Sequence, residues 1–339
     1  MCTLYLLKQG TKARKNGGRI VIEQLGKKTK SLPLKKVGQL VVGEGTEVTT
    51  SLLRELMILR IPVSFVDYFG NLLGQLEDDR LSWQYSKCQM DCFQSEERCL
   101  VLTRHIIGCK LNNQWRLLKS YAKNHPAPEL DRIVKELNHY RLRLHQEQDK
   151  NKIRGIEGLA AKKYFSVYHL LIDNAVWHWT GRNRRPPRDP VNALLSYGYA
   201  FLEREVRLAI VGARLDGRFG FLHSNNGHKD SLVFDLIELF RQPVIDRIVL
   251  KALNLGQFIF AHFTIDEDTG NCRLSEKARQ RWIEIYEKFM NHACAEMDGH
   301  TPRVWIRQQV AEFSRLVYAP VEETFSPSAM DALLRIGRR

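Results

Sequence analysis

Near residue 90 the spacing of apolar residues in this 339-residue chain changes from about two to nearly four, so the first part must make strands and the rest helices. Before that point, short runs rich in β-branched and other apolar residues at 3–7, 19–24, 39–42, 63–66 and 72–76 are separated by glycine-bearing turns. One helix is expected among them at 51–60, where Leu52, Leu53, Leu56 and Leu59 recur at helical spacing until Pro62 stops the run. Tyr68-Phe69-Gly70-Asn71 reads as a hairpin tip, and Glu77-Asp78-Asp79-Arg80 as the polar exit from a small domain. Beyond it, helical periodicity runs through 96–123, 129–148, 157–179, 191–215, 231–253, 275–290 and 303–317. The expected class is α+β: a small β-rich domain over 1–80, a linker over 81–95 and a larger all-helical domain over 96–320. The weakly patterned tail over 321–339 reads as disordered or as a docking segment.

Charge narrows the class of partner. The net charge is +14, with the excess before residue 261, which favours a polyanion or an anionic membrane surface over a neutral partner, unless the charge serves solubility alone. No apolar run approaches the ~20 residues that cross a bilayer, and the segment Met1 to Lys8 is too short and too early-charged for a signal peptide. The seven cysteines are scattered with no CxxC pair, which argues against structural zinc and fits reduced thiols in a cytoplasmic protein. Four arginines, Arg182, Arg184, Arg185 and Arg188, lie on a proline-stiffened connection that cannot be core. It ends at Asp189, a good N-cap, with Pro190 suited to the first helical position.

Three acids sit where a core is expected. Glu157 lies between two glycines at the head of an apolar run, while Asp235 and Glu238, three apart, share one face of an otherwise apolar helix. Buried acids need neutralising, and a metal ion is one neutraliser. His223, after Gly220-Phe221-Leu222, would add an imidazole. Two carboxylates and an imidazole with open positions suit Mg²⁺ or Mn²⁺, and such an ion can assist an in-line displacement at phosphorus. Each residue also has a structural alternative. Glu157 could serve the helix dipole in a first turn, His223 could be packed and hydrogen-bonded, and Asp235 or Glu238 could pair with Arg241 or Arg247. The polar loop 224–230 could meet a DNA strand, with Lys229 and Arg241 either on phosphates or as solvated surface charges.

From Thr3 to about Val317 these segments resemble the CRISPR-associated spacer integrase family. The resemblance is carried by the stretch 39–65 with its inserted helix, Phe69-Gly70, Lys110 and Asn113 on one helix, Gly155-Ile156-Glu157-Gly158 with Tyr164-Phe165, Asp189-Pro190-Val191-Asn192, Gly220-Phe221-Leu222-His223 and Asp235-Leu236-Ile237-Glu238. It implies that Glu157, His223 and Glu238 bind the metal, and that Asp235 supports the site or binds a second ion. It implies a metal-dependent DNA endonuclease and integrase that inserts short fragments into a CRISPR array by attack of a 3′-hydroxyl. DNA contacts are expected at Lys110, Arg184, Arg185, Arg188, Lys229 and Arg241. Implied partners are double-stranded fragments, CRISPR repeat DNA, a second copy joined through the β-rich domains and a small ferredoxin-fold subunit. Many members carry a glycine-arginine pair in the loop where this chain has His228-Lys229-Asp230. Two competing readings are a transposon-borne integrase, which often has a DNA-binding segment after the helical domain, and a catalytically idle DNA-binding scaffold. Only about twenty residues follow Val317, which favours the CRISPR role.

Overall fold

The structure, a computed structural model, describes residues 2–24, 26–76, 83–173, 176–184, 186–223 and 230–319. The chain divides into two compact units, Met1–Arg80 and Leu81–Arg339. In the first, β1 (Cys2–Leu6), β2 (Thr11–Asn16), β3 (Arg19–Gln24), β4 (Lys30–Pro33), β5 (Val37–Gly43) and β6 (Glu47–Val48) precede the helix α1 (Thr50–Ile58) and the hairpin β7 (Val63–Val66) and β8 (Leu72–Leu76). They form two four-stranded sheets, in the orders β1-β5-β7-β8 and β4-β3-β2-β6.

Strands β5 and β7 run parallel, which requires a crossover, and α1 supplies it. Its Leu52 and Leu56 are fully buried in one core with Leu6, Leu40 and Val63 of one sheet and Ala13 and Ile20 of the other. Both sheets therefore close on the same apolar face of α1. At the β7–β8 tip, Asp67 accepts hydrogen bonds from the Asn71 backbone and side-chain nitrogens, and Gly70 takes the left-handed φ of 82° that the turn needs. Strand β2, unexpected from its composition, keeps the strand alternation in polar dress: Thr11 and Ala13 are buried while Lys12 and Arg14 are exposed.

The second unit begins with α2 (Trp83–Gln94), followed by α3 (Glu96–Asn124), α4 (Pro128–Leu144), α5 (Lys150–Ser166), α6 (Pro190–Gly212), α7 (Ser231–Ile237) and α8 (Arg247–Asn254). A small antiparallel hairpin, β9 (Phe263–Ile265) with β10 (Cys272–Leu274), then leads to α9 (Glu276–Met290) and α10 (Pro302–Tyr318). The unit is thus not all-helical. The hairpin turns where Asp266 accepts from the Thr269 backbone and hydroxyl and Gly270 has φ 65°. The expected linker over 81–95 is also mostly helix, from Trp83, with Gln89 and Cys92 buried. The tail over 321–339 lies outside the described residues.

Two helix boundaries differ in ways that bear on the acids. Helix α5 starts at Lys150 on an Asp149 cap and carries its stripe Ile153, Ile156, Ala160, Tyr164 through both glycines, so Glu157 is mid-helical and not a first-turn residue. The single helix expected over 231–253 is three pieces: α7, a π-helical turn at Arg241–Asp246, and α8. Pro243 explains the break, because it has no N–H to continue the α-helical ladder. By contrast, Asp189 caps α6 as the sequence suggests, accepting from Asn192 N at 2.8 Å, with Pro190 at the first position. No helix among the described residues is long and apolar enough to cross a membrane.

Helix α6 packs through Gly198. A methyl group there would meet Ile245 Cγ2 at 2.6 Å and the Trp282 ring at 2.8 Å. Gly198→Ala is therefore expected to destabilise the protein by about 1–3 kcal/mol through overpacking. Urea unfolding measures it, and an unchanged midpoint would show that α6 can draw back from the π-helical turn and α9 without cost.

Candidate active site

Lys110 and Asn113, one turn apart on α3, face the acidic segments. The Asn113 amide donates to the Leu239 carbonyl just past α7, holding that helix end against α3. Lys110 is 5% exposed, and its ammonium hydrogen-bonds Glu157 Oε1 of α5 while lying 2.8 Å from Glu238 Oε2. Arg241 pairs with the other oxygen of Glu238 at 3.1 Å. Two carboxylates from separate segments thus meet two cations, with Lys110, Glu238 and Arg241 largely buried and Glu157 partly open to solvent. Burial alone would raise the Glu238 carboxyl, but Arg241 and Lys110 outweigh it and hold the value at about 2.

His223 is set differently. Asp235, fully buried, accepts from the backbone nitrogens of Phe221 (2.5 Å), Leu222 (2.9 Å) and His223 (3.0 Å), and its Oδ1 lies 2.6 Å from His223 Nδ1. These four bonds occupy both oxygens. They also fix the tautomer: with Nδ1–H given to Asp235, the imidazole lone pair sits on Nε2. Gly220 permits the cradle, because a Cβ there would meet Ser231 Cβ at 2.6 Å and Asp235 Oδ2 at 2.9 Å. Arg154, one turn before Glu157 on α5, donates to the Leu222 carbonyl and ties the His223 segment to the Glu157 helix.

Behind Arg241 lies a second buried layer. Its guanidinium stacks 4.6 Å from the Tyr199 ring centroid, and the hydroxyls of Tyr199 and Tyr164 donate to the two oxygens of Asp246 at 2.6 and 2.7 Å. Burial pushes the Asp246 carboxyl up to about 6, more than the tyrosine hydrogen bonds lower it. Sequence reasoning missed Arg154, Tyr199 and Asp246 as members of the site. Arg154 was within reach, since it sits three residues before Glu157 on one helical face, whereas Tyr199 and Asp246 meet only through the tertiary fold.

The structure brings Glu157 and Glu238 together on one ammonium and keeps His223 with Asp235 in a neighbouring group. Among the described residues no three histidine, cysteine or carboxylate side chains converge closely enough to enclose a metal ion. The donor chemistry nonetheless fits a hard divalent cation. Both carboxylates already turn toward a positive charge, and Glu238 Oε2 is buried with the Lys110 ammonium 2.8 Å away, a place a harder cation could take. Of the expected DNA contacts, Lys110 and Arg241 are committed to the carboxylates, which removes them from the free surface. Arg184 and Arg188 are exposed, while Arg185 and Lys229 lie outside the described residues. The expected alternative pairing is met for Glu238 with Arg241, whereas Arg247 pairs with Glu296.

Residues 4–288 match the family described as CRISPR associated protein Cas1. A CRISPR-associated endonuclease Cas1 of Thermus thermophilus is 32% identical over 289 residues, spanning 84% of this chain and 86% of that one. In fold, the chain is similar to a casposase bound to its integration product, with TM-score 0.83, 22% identity and 100% of both chains covered. It is also similar to a chain of a Cas6-RT-Cas1 and Cas2 complex, with TM-score 0.77 and 21% identity over 94% of this chain and 35% of that one.

Two outcomes follow from this geometry. Asp235→Asn turns a donor toward backbone N–H groups and should cost about 1–3 kcal/mol in urea unfolding. An unaltered stability would mean that Asp235 does not hold the loop. The second concerns pH. Unfolded, Asp246 ionises near its ordinary 3.8, whereas folded it keeps its proton to about pH 6. Between these values the unfolded state binds fewer protons, so stability falls as pH rises through the window. Relative to Asp246→Asn, the wild type should lose on the order of 3 kcal/mol from pH 3.5 to 7. A pH-independent difference between the two would count against a buried, proton-retaining Asp246.

Proposed function

The chain belongs to the Cas1 family of CRISPR-associated endonucleases, and from that premise we propose that it inserts short DNA fragments into a CRISPR array, using Glu157, His223 and Glu238 as metal-binding residues. The observation that carries this reading is the convergence of Glu157 and Glu238 from two segments on a single cation, beside an imidazole oriented by a buried carboxylate. In the proposed reaction a fragment's 3′-hydroxyl attacks a phosphodiester of the repeat. One P–O bond forms as another breaks, the displaced 3′-oxygen takes up a proton, and no external energy source is needed. Attack by water in place of the hydroxyl would give the endonuclease reaction.

Bound Mg²⁺ or Mn²⁺ would supply Lewis-acid stabilisation of the charge that develops on the phosphoryl and leaving oxygens. The chain's own residues prepare the site. Asp235 and Arg154 fix the His223 segment, so that Nε2 is presented without rotamer searching. Arg241 keeps Glu238 ionised, and Tyr199 backs Arg241. Asp235 serves as a positioning residue in this reading, since its oxygens are already occupied. Arg184 and Arg188 would hold phosphates from the loop before α6, together with Arg185 and Lys229. The proposed assembly is a homodimer joined through the β-rich units, together with a small ferredoxin-fold subunit.

The casposase likeness also fits a second reading, insertion of a transposon end, although at 22% identity it speaks for the fold alone. The two readings differ in target. The test is transfer of a labelled fragment with free 3′-hydroxyls into a supercoiled plasmid, with and without a CRISPR leader and repeat, in the presence of the partner subunit and Mg²⁺ or Mn²⁺. Glu157→Gln, Glu238→Gln and His223→Ala are each expected to reduce joining to background while retaining DNA binding. Glutamine is used because it keeps the volume of Glu238 and one carbonyl acceptor beside Lys110 and Arg241, although like alanine it removes the charge that balances them. Undiminished joining in any two variants would sink the site, and equal joining to the plasmid lacking the array would favour the transposon-type reading.

A further inference from the structure

We infer that Lys110 is an internal counter-cation that holds Glu157 and Glu238 ready in the metal-free protein and is displaced when the metal binds. The inference rests on the proposed role of those two carboxylates as ligands. Lys110 projects from α3 into a site where its side chain is 7% exposed, an environment that penalises an ammonium unless carboxylates surround it. Both neighbours are acids, and they come from different segments, α5 and the end of α7. Without Lys110, Arg241 on Glu238 is the cation left to the pair among the described residues, and repulsion would drive the carboxylates apart or protonate one. The lysine therefore does before metal binding what the metal does afterwards.

The charge count shows why the change is an exchange. Glu157 and Glu238 balance Lys110 and Arg241, so the cluster is neutral as it stands. A divalent ion added beside an unmoved Lys110 would leave two uncompensated positive charges in a buried site, which is strongly unfavourable. Arg241 is the less able to leave, stacked on Tyr199. Lys110 is the looser of the two. Its ammonium is held by oxygens of Glu157 and Glu238, the latter at 2.8 Å, the same groups a metal would take over. A flexible stem of four methylene groups lets its head withdraw without moving α3. Lys110 thus preorganises the ligands and competes for them, which sets the metal affinity below what the bare carboxylates would give.

The test uses the full chain and Mn²⁺ alone as the probe, by isothermal titration, with melting temperatures taken in chelator and in Mn²⁺. Lys110→Met is expected to melt lower in chelator, to bind Mn²⁺ roughly tenfold tighter and to show a larger Mn²⁺-induced rise in melting temperature than the wild type. Unchanged or weaker Mn²⁺ binding by Lys110→Met overturns displacement. If the wild type binds and Glu157→Gln does not, the ligand assignment survives that result. Equal binding by wild type and Glu157→Gln overturns the ligand assignment itself, and the inference with it. Should Lys110→Met fail to fold, the wild type still decides the matter through acylation of lysine amines read by mass spectrometry. Lys110 should be protected in chelator and modified several-fold faster in Mn²⁺, and an equal rate in both overturns the proposal.

Discussion

The neutral cluster of Glu157, Glu238, Lys110 and Arg241 is the constraint on which the second unit's arrangement depends. Its members come from α3, α5, the end of α7 and the π-helical turn, segments far apart in sequence. A buried ion pair contributes little net stability, because desolvation offsets the attraction, but an unpaired buried charge is costly. The cluster therefore acts less as a glue than as a condition on geometry. Any packing of these segments that separates one partner from the rest is penalised, and the packing that remains puts two carboxylates side by side.

Environment then sorts four carboxylates into different tasks. Asp235 is saturated by three backbone N–H groups and an imidazole, all fixed in place, so its oxygens are spent on shape. Asp246 receives two phenolic hydroxyls, and burial raises it toward neutrality more than those bonds and the charges of Arg241 and Arg182 lower it. Glu157 and Glu238 are balanced by mobile or stacked cations, and Glu238 is kept ionised well below its ordinary range. Only this last kind of carboxylate can exchange one cation for another without breaking backbone structure. Sequence spacing alone places Asp235 and Glu238 on one helical face, yet their partners give them opposite roles.

Much of this was legible where local chemistry and tertiary role agree. The 3-residue spacing of Asp235 and Glu238, the Asp189-Pro190 start of α6 and the leucine stripe of α1 each follow from helix geometry, and each is found. Where the two disagree, local reading failed. The glycines flanking Glu157 look like breakers, but the stripe from Ile153 to Tyr164 buries enough apolar surface to carry α5 through them. Strand β2 is polar in composition because only alternate residues face the core. The Lys110 and Arg241 charges looked like phosphate contacts because burial cannot be read from a lysine or an arginine by itself.

The neutrality of the cluster has a consequence for how DNA is held. A net charge of +14 is not spent at the carboxylates, which cancel their own cations, so long-range attraction must come from elsewhere on the surface. The proline-stiffened segment before α6 shows the division on a small scale. Arg182 turns inward, donating to Asn192 Oδ1 at 2.7 Å and Ser196 Oγ at 3.2 Å, with its guanidinium 5.6 Å from the Tyr199 ring centroid. Arg184 and Arg188, on the same segment, are exposed. One arginine thus anchors the segment to the layer behind Arg241 while its neighbours face solvent. Salt screens exposed charges far more than buried ones, so ionic strength should act on the grip of the outer arginines and leave the inner cluster nearly untouched. In the proposed reading the chemistry and the hold on a polyanion would be carried by separate sets of charges, linked through Tyr199.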